Sequence, residues 1–157
     1  MNNKLNRGFE VLPEYESQAK NICNKLGLDS FIPQRATNGS AGYDLRAIED
    51  VIIPPGEVKL VGTGLTAYMQ IDEELQIRSR SGIAKQKITV INSPGTIDSD
   101  YYGKHIMVML YNQTNESFLI ESGERIGQGI FSTYLTTDDD NPVSESRTGG
   151  FGSTGTK

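Results

Sequence analysis

Val51-Ile-Ile-Pro-Pro-Gly-Glu-Val-Lys-Leu-Val61 decides the fold class. Two runs rich in β-branched residues flank Pro54-Pro-Gly56, and that pairing reads as strand, tight turn, strand. The same pattern continues downstream, where residues 65–69, 75–78, 87–91, 105–111, 118–120 and 126–135 form short alternating runs. About ten short strands in roughly 100 residues, with no repeating βα unit, predict an all-β sandwich or barrel of the jelly-roll kind. The one break, residues 81–86, reads as a helical turn or short helix on a sheet edge. Upstream, residues 9–12 look like a strand. From Glu14 the period changes: Tyr15, Ala19, Ile22 and Leu26 recur at helical spacing and Gly27 can stop the helix.

The chain has 157 residues, enough for one domain with its own core. Its single Cys23 excludes an intrachain disulfide and favours a reducing compartment. The opening Met-Asn-Asn-Lys-Leu-Asn-Arg is followed by no apolar run, and no stretch approaches the roughly 20 apolar residues that span a bilayer. A cytoplasmic protein is therefore expected. The formal charge of −5 argues against a nucleic-acid or membrane-surface binder. It leaves room for a small anion held by a few arginines, and Arg80, Arg125 and Arg147 each stand among Gly or Ser. Residues 136–146 are polar and acidic and read as an arm. The expected organisation is a barrel domain over 1–135, with a helical insertion at about 14–30, and a C-terminal arm and glycine-rich lid over 136–157.

Five clusters interrupt the β pattern. In Ser40-Ala-Gly-Tyr-Asp-Leu-Arg-Ala47, strand alternation puts Tyr43 and Leu45 on one side and Asp44 on the other. Asp44 is then either solvent-exposed or paired in a network. Arg80, Ser81 and Gly82 offer a planar cation, a hydroxyl and an accessible N–H, a set that suits phosphate oxygens. Asn92-Ser-Pro-Gly-Thr-Ile-Asp-Ser-Asp-Tyr101 reads as a hairpin loop between flanking strands, whose backbone groups can meet the edge of a flat ring. Asp98 and Asp100, two positions apart, share a side, and one carboxylate could activate a water. Gln128 lies between two glycines in a strand, which suggests close approach by another group. Last comes the tail, Arg147-Thr-Gly-Gly-Phe-Gly-Ser-Thr-Gly155, with a cation, a ring and two hydroxyls among flexible glycines. His105, Cys23, Met107 and Met109 read as structural residues.

Taken in order, Ala41-Gly-Tyr-Asp-Leu45, Arg80-Ser-Gly-Ile-Ala84, Gly95-Thr-Ile-Asp98 with Tyr101, Gly123-Glu-Arg-Ile-Gly-Gln128 and Gly149-Gly-Phe-Gly-Ser-Thr-Gly155 resemble the five motifs of the homotrimeric dUTP diphosphatase (dUTPase) family. The resemblance implies a distorted jelly-roll barrel and Mg²⁺-dependent hydrolysis of dUTP to dUMP and pyrophosphate. It also implies a homotrimer whose active sites draw on three subunits. By position, Asp98 would be the general base for a water adding at the α-phosphorus. Asn92, Gly95, Thr96 and Ile97 would belong to the uracil-reading hairpin, and Tyr101 would pack on the deoxyribose. Arg80, Ser81, Gly82 and Gln128 would hold the phosphates. Phe151 would stack on uracil, Arg147 would reach the γ-phosphate, and Gly152, Ser153 and Thr154 would complete the lid. No direct protein ligand to the metal is implied, with Asp44 in the acidic network near it.

Three places depart from the family's pattern. Arg147 stands one residue nearer the ring than in the usual tail. Tyr102 replaces a common arginine. Gly103-Lys-His-Ile106 is one residue longer than usual, which suggests a bulge. Two other readings share the fold. A dCTP deaminase would need a glutamate where Val108-Met-Leu110 has none. A regulatory protein would contact a protein partner through residues 14–30.

Overall fold

The computed structural model describes residues 5–144, 147 and 149. Eleven strands and two short α-helices are described. In chain order they are β1 (Gly8–Val11), α1 (Glu16–Leu26), β2 (Tyr43–Arg46), β3 (Val51–Ile53), β4 (Val58–Gly62), β5 (Leu65–Tyr68), β6 (Glu73–Arg78), α2 (Ser81–Ala84), β7 (Ile88–Val90), β8 (Gly95–Asp98), β9 (Met107–Asn112), β10 (Phe118–Ile120) and β11 (Arg125–Thr133). All ladders are antiparallel and form four small sheets: β1-β5, β10-β3, β2-β11-β6-β8 and β4-β9-β7. The all-β, jelly-roll-like expectation holds, with the helix where the periodicity placed it.

The deciding stretch behaves in an instructive way. Its turn forms, with Gly56 at φ 71° and the Glu57 N–H donating to the Pro54 carbonyl at 3.2 Å. Its strands then part, because β3 pairs with β10 while β4 pairs with β9. Asn112 holds this junction together. Completely buried, it donates from Nδ2 to the carbonyls of Ile53 and Glu116, and its Oδ1 accepts from the N–H and hydroxyl of Thr114. A buried amide is tolerated when it is satisfied in this way.

Alternation selects the core. Leu75 and Ile77 of β6, Val108 and Leu110 of β9, and Leu45, Ile53, Ile120 and Ile126 are all at most 2% exposed. The stretch expected as a helical insertion contributes side chains to this core. Ala19 and Ile22 of α1 and Phe31 after it are buried, Tyr15 and the half-buried Cys23 pack against them, and Gly27 ends the helix at φ 65°. Gly123 lies beneath the helix, where an added Cβ would come within 2.9 Å of Ile22. His105 is structural as well: its Nε2 accepts the Gly64 N–H at 2.7 Å and its ring lies 4.5 Å from that of Tyr15. Burial pushes its pKa below the ordinary value.

Two expectations need correction. Residues 92–101 are not a plain hairpin loop. Thr96-Ile97 continue a two-residue alternation, and β6 offers an open edge, so β8 forms there and pairs with β6 from Glu74↔Asp98 to Ile77↔Gly95. The extra residue near Gly103 makes a turn and not a strand bulge. Gly103 sits at φ 81° and donates to the Thr66 hydroxyl at 2.8 Å.

Candidate active site

The sheet β2-β11-β6-β8 carries chemistry at both of its edges. At the β2 edge, register places Gln128 opposite both Asp44 and Arg78, so three strands deliver one row of polar side chains. Arg80, Ser81 and Gly82 follow directly as β6 gives way to α2. Asp44 is the pivot: Oδ1 accepts Arg80 Nε at 2.6 Å and Oδ2 accepts Arg125 Nη1 at 3.2 Å. The network reading of Asp44 is therefore the one realised, and both of its described partners are guanidiniums. Gln128 Nε2 donates to the Ser79 carbonyl at 3.0 Å. These groups line an open cleft of about 420 Å³ in which Ser81 and Gly82 are exposed. Two guanidiniums against one carboxylate leave it cationic, as a phosphate site requires.

The glycines around Gln128 do mark a close approach, and the approaching groups belong to the chain itself. At Gly129 an added Cβ would meet Leu75 at 2.9 Å, and at Gly127 the Arg78 carbonyl at 3.4 Å. The strand and core next to them fill that space. At Gly42 the intruder is Gln128 itself: a Cβ there would overlap Oε1 and lie 3.1 Å from Cδ.

At the β8 edge, Asn92, Gly95, Thr96, Ile97, Asp98 and Tyr101 line a smaller cleft of about 130 Å³, together with Met107 and Met109 of β9. Asp98 is about half exposed, and β8, at the end of its sheet, pairs only with β6 among the described strands. Tyr101 donates its hydroxyl to the His105 carbonyl at 3.2 Å. Burial raises its pKa, and the Arg147 charge partly opposes this. Arg147 lies in this cleft and not with Arg80. Its Nε donates to Asp100 at 2.7 Å, its Nη2 pairs with Asp98, and its guanidinium sits 5.7 Å from the centre of the Tyr101 ring. The two acidic partners hold its pKa above the usual value. Tyr102, at the position of the expected arginine, donates to Glu10 at 2.8 Å.

The sheet therefore carries two separate clefts, which share no lining residue. Phe151, Gly152, Ser153 and Thr154 lie outside the described residues. Among the described residues no group of three His, Cys, Asp or Glu could hold a metal ion, and no helix is long and apolar enough to cross a membrane. Sequence reasoning passed over Met107 and Met109. Their signal was present, since they alternate with the buried Val108 and Leu110 and so place apolar side chains on the outward face. It also passed over Arg46, whose Nη1 donates to the Gly123 carbonyl at 2.7 Å.

Comparison with known proteins gives a consistent result. Residues 29–155 match the family model described as dUTPase. The chain is 46% identical over 156 residues to the deoxyuridine 5'-triphosphate nucleotidohydrolase of Lactococcus lactis, covering 95% of this chain and 97% of the relative. It is 48% identical over 136 residues to the protein of the same name from Nautilia profundicola, covering 83% and 95%. Among solved structures, the dUTPase of Streptococcus mutans superposes with a TM-score of 0.72 at 36% identity, over 83% of this chain and 98% of that one. The dUTPase of phage phi11 shares the fold, with a TM-score of 0.69 at 17% identity over 89% and 97%. With its two polar clefts, its barrel and these relatives together, the chain belongs to the dUTPase family.

Proposed function

We propose that the protein hydrolyses dUTP to dUMP and pyrophosphate, with Asp98 as the general base. The observation that carries this is the division of labour across one sheet. A cationic, hydroxyl- and amide-rich cleft lies at one edge, and a small cleft with a half-exposed carboxylate and an aromatic wall lies at the other. Neither half suffices alone, which supports a homotrimer that brings the β8 edge of one subunit to the α2 edge of another. Residues 136–157, the arm and lid beyond the barrel domain of 1–135, would complete the site.

In this reading uracil enters the β8 cleft, where an edge strand can pair with its polar rim and Asn92 borders the base. A close-fitting cleft excludes the 5-methyl of thymine, and a mismatched donor–acceptor edge rejects cytosine. Tyr101 packs on the deoxyribose and leaves no room for a 2′-hydroxyl. Arg80, Ser81, the Gly82 N–H and Gln128 take the phosphates. Asp44 holds the Arg80 head in place through Nε. Asp98 then accepts a proton from the water that attacks the α-phosphorus, and pyrophosphate leaves. Arg147, Phe151, Gly152, Ser153 and Thr154 close the site and exclude water.

Magnesium fits this scheme as the companion of the triphosphate. Asp44 is already committed to two arginines, so the chain's own contribution to charge neutralisation is the guanidiniums. When bound, the metal would further offset the phosphate charge. The test measures pyrophosphate release from dUTP, dTTP, dCTP and UTP by the intact chain and by Asp98→Asn. The expected result is strong preference for dUTP and a loss of about 10²–10⁴-fold in turnover in the variant, with nucleotide binding retained. Equal rates on dUTP and dTTP, or an unimpaired variant, would refute the assignment.

A further inference from the structure

A second cationic cleft lies beside α2. It has a volume of about 330 Å³ and is lined by Arg46, Arg80, Arg125, Glu124, Gln86 and Phe118 among others. Three guanidiniums therefore face one carboxylate. That carboxylate is already used, since Glu124 Oε2 accepts the Glu121 N–H at 2.8 Å. Asp44 reaches Arg80 and Arg125 but lines the neighbouring clefts and not this one. Arg46, the last residue of β2, is half-buried and anchored by the Gly123 carbonyl. Its pKa is depressed, first by burial and next by the charge of Arg125, with Arg80 adding to the effect and Asp44 opposing it. Like charges gathered in a partly buried pocket are unfavourable until a counter-ion arrives. Each arginine uses one nitrogen in its described contacts, and a guanidinium carries five N–H donors, so donors remain for an anion. Gln86 adds an amide at the same wall and Phe118 an apolar rim.

We propose that Arg46, Arg80 and Arg125 form a second anion site that takes a phosphoanhydride anion, either inorganic pyrophosphate or the terminal phosphates of a nucleotide. It goes beyond the reaction above, and because Arg80, Gly82 and Arg125 also line the phosphate cleft while Arg46 does not, its occupancy would draw Arg80 and Arg125 away from substrate and slow turnover. This site gives the chain a means of sensing its own product or the nucleotide pool.

The test uses the full chain saturated with a dUTP analogue carrying an imido bridge between the α- and β-phosphorus, which fills the substrate site. Inorganic pyrophosphate is titrated calorimetrically into this complex, and dATP in a parallel arm. The expected result is binding to the wild-type complex that weakens at least 10-fold in Arg46→Gln and tightens several-fold in Glu124→Gln. Arg46→Gln should keep the uninhibited dUTP turnover of the wild type. Binding of pyrophosphate alone identifies the product as ligand, and binding of dATP identifies nucleotides. Arg46→Lys, which keeps the charge, should fall between the wild type and the glutamine variant. No binding of either anion to the saturated wild type, or equal affinity in Arg46→Gln, would overturn the proposal. If the analogue fails to bind while pyrophosphate binding still depends on Arg46, the dUTP reading fails and the anion site stands.

Discussion

Gly42→Ala separates the fold of the phosphate cleft from its chemistry. The new Cβ would overlap Gln128 Oε1 and lie 3.1 Å from its Cδ and 3.2 Å from its Cβ. The obstacle is the end of a flexible side chain, and Gly42 has no left-handed φ that alanine would strain. Gln128 therefore swings away, and its 3.0 Å bond to the Ser79 carbonyl is lost. One neutral hydrogen bond contributes about 0.5–1.5 kcal/mol, which lowers Tm by about 1–6 °C in a domain of this size. The functional effect is larger. A hydrogen bond to a charged group contributes about 1.5–3 kcal/mol, so kcat/KM for dUTP should fall about 10- to 150-fold. Gln128→Ala should fall as far, and the double variant no further, because both changes remove the same contact. Steady-state kinetics of the four proteins, each checked by thermal melting, decide the matter. Wild-type kcat/KM in Gly42→Ala alongside an impaired Gln128→Ala, or an additive double variant, would refute the reasoning.

Other consequences are open to measurement. Asn112→Ala removes four hydrogen bonds at a completely buried junction, and the urea midpoint should report a loss of about 2–4 kcal/mol. The depressed pKa of His105 means that the unfolded chain takes up this proton first. Its contribution to stability is therefore complete above about pH 6.5 and is lost as pH falls through the lowered folded value. His105→Gln should flatten that part of the stability–pH curve. Deleting 14–30 should abolish cooperative unfolding, because Ala19 and Ile22 belong to the core. A deletion variant that folded and kept full activity would instead favour a separable docking module.

Strands and helix were legible because their side chains alternate or recur at fixed periods, and burial follows those periods closely. Pairing was not legible: nothing in residues 51–61 says that the turn hands its second strand to another sheet. The decision rests on Asn112, about fifty residues away, whose amide ties the ends together. The site was legible as a set of short motifs in order, but its internal geometry was not. Sequence spacing left Asp44 equally compatible with solvent and with a partner, and only the pairing of β11 with both β2 and β6 brings Arg125 and Arg80 to it. Gln128's glycines pointed to close approach, but the approaching groups proved to be Leu75 and the chain's own backbone.

The seam between α1 and Gly123 has a consequence for how this protein can change. At Gly123 the backbone sits at φ 90°, and the Ile22 and Leu26 side chains occupy the space of a missing Cβ. No other residue would fit that turn with the helix seated at this depth. The turn also leads straight into Arg125 and Gln128, and its carbonyl holds Arg46. Helix and turn are therefore one inheritable part. Grafting the helix alone onto a barrel with a side chain at that turn should fail, whereas moving the two together should succeed.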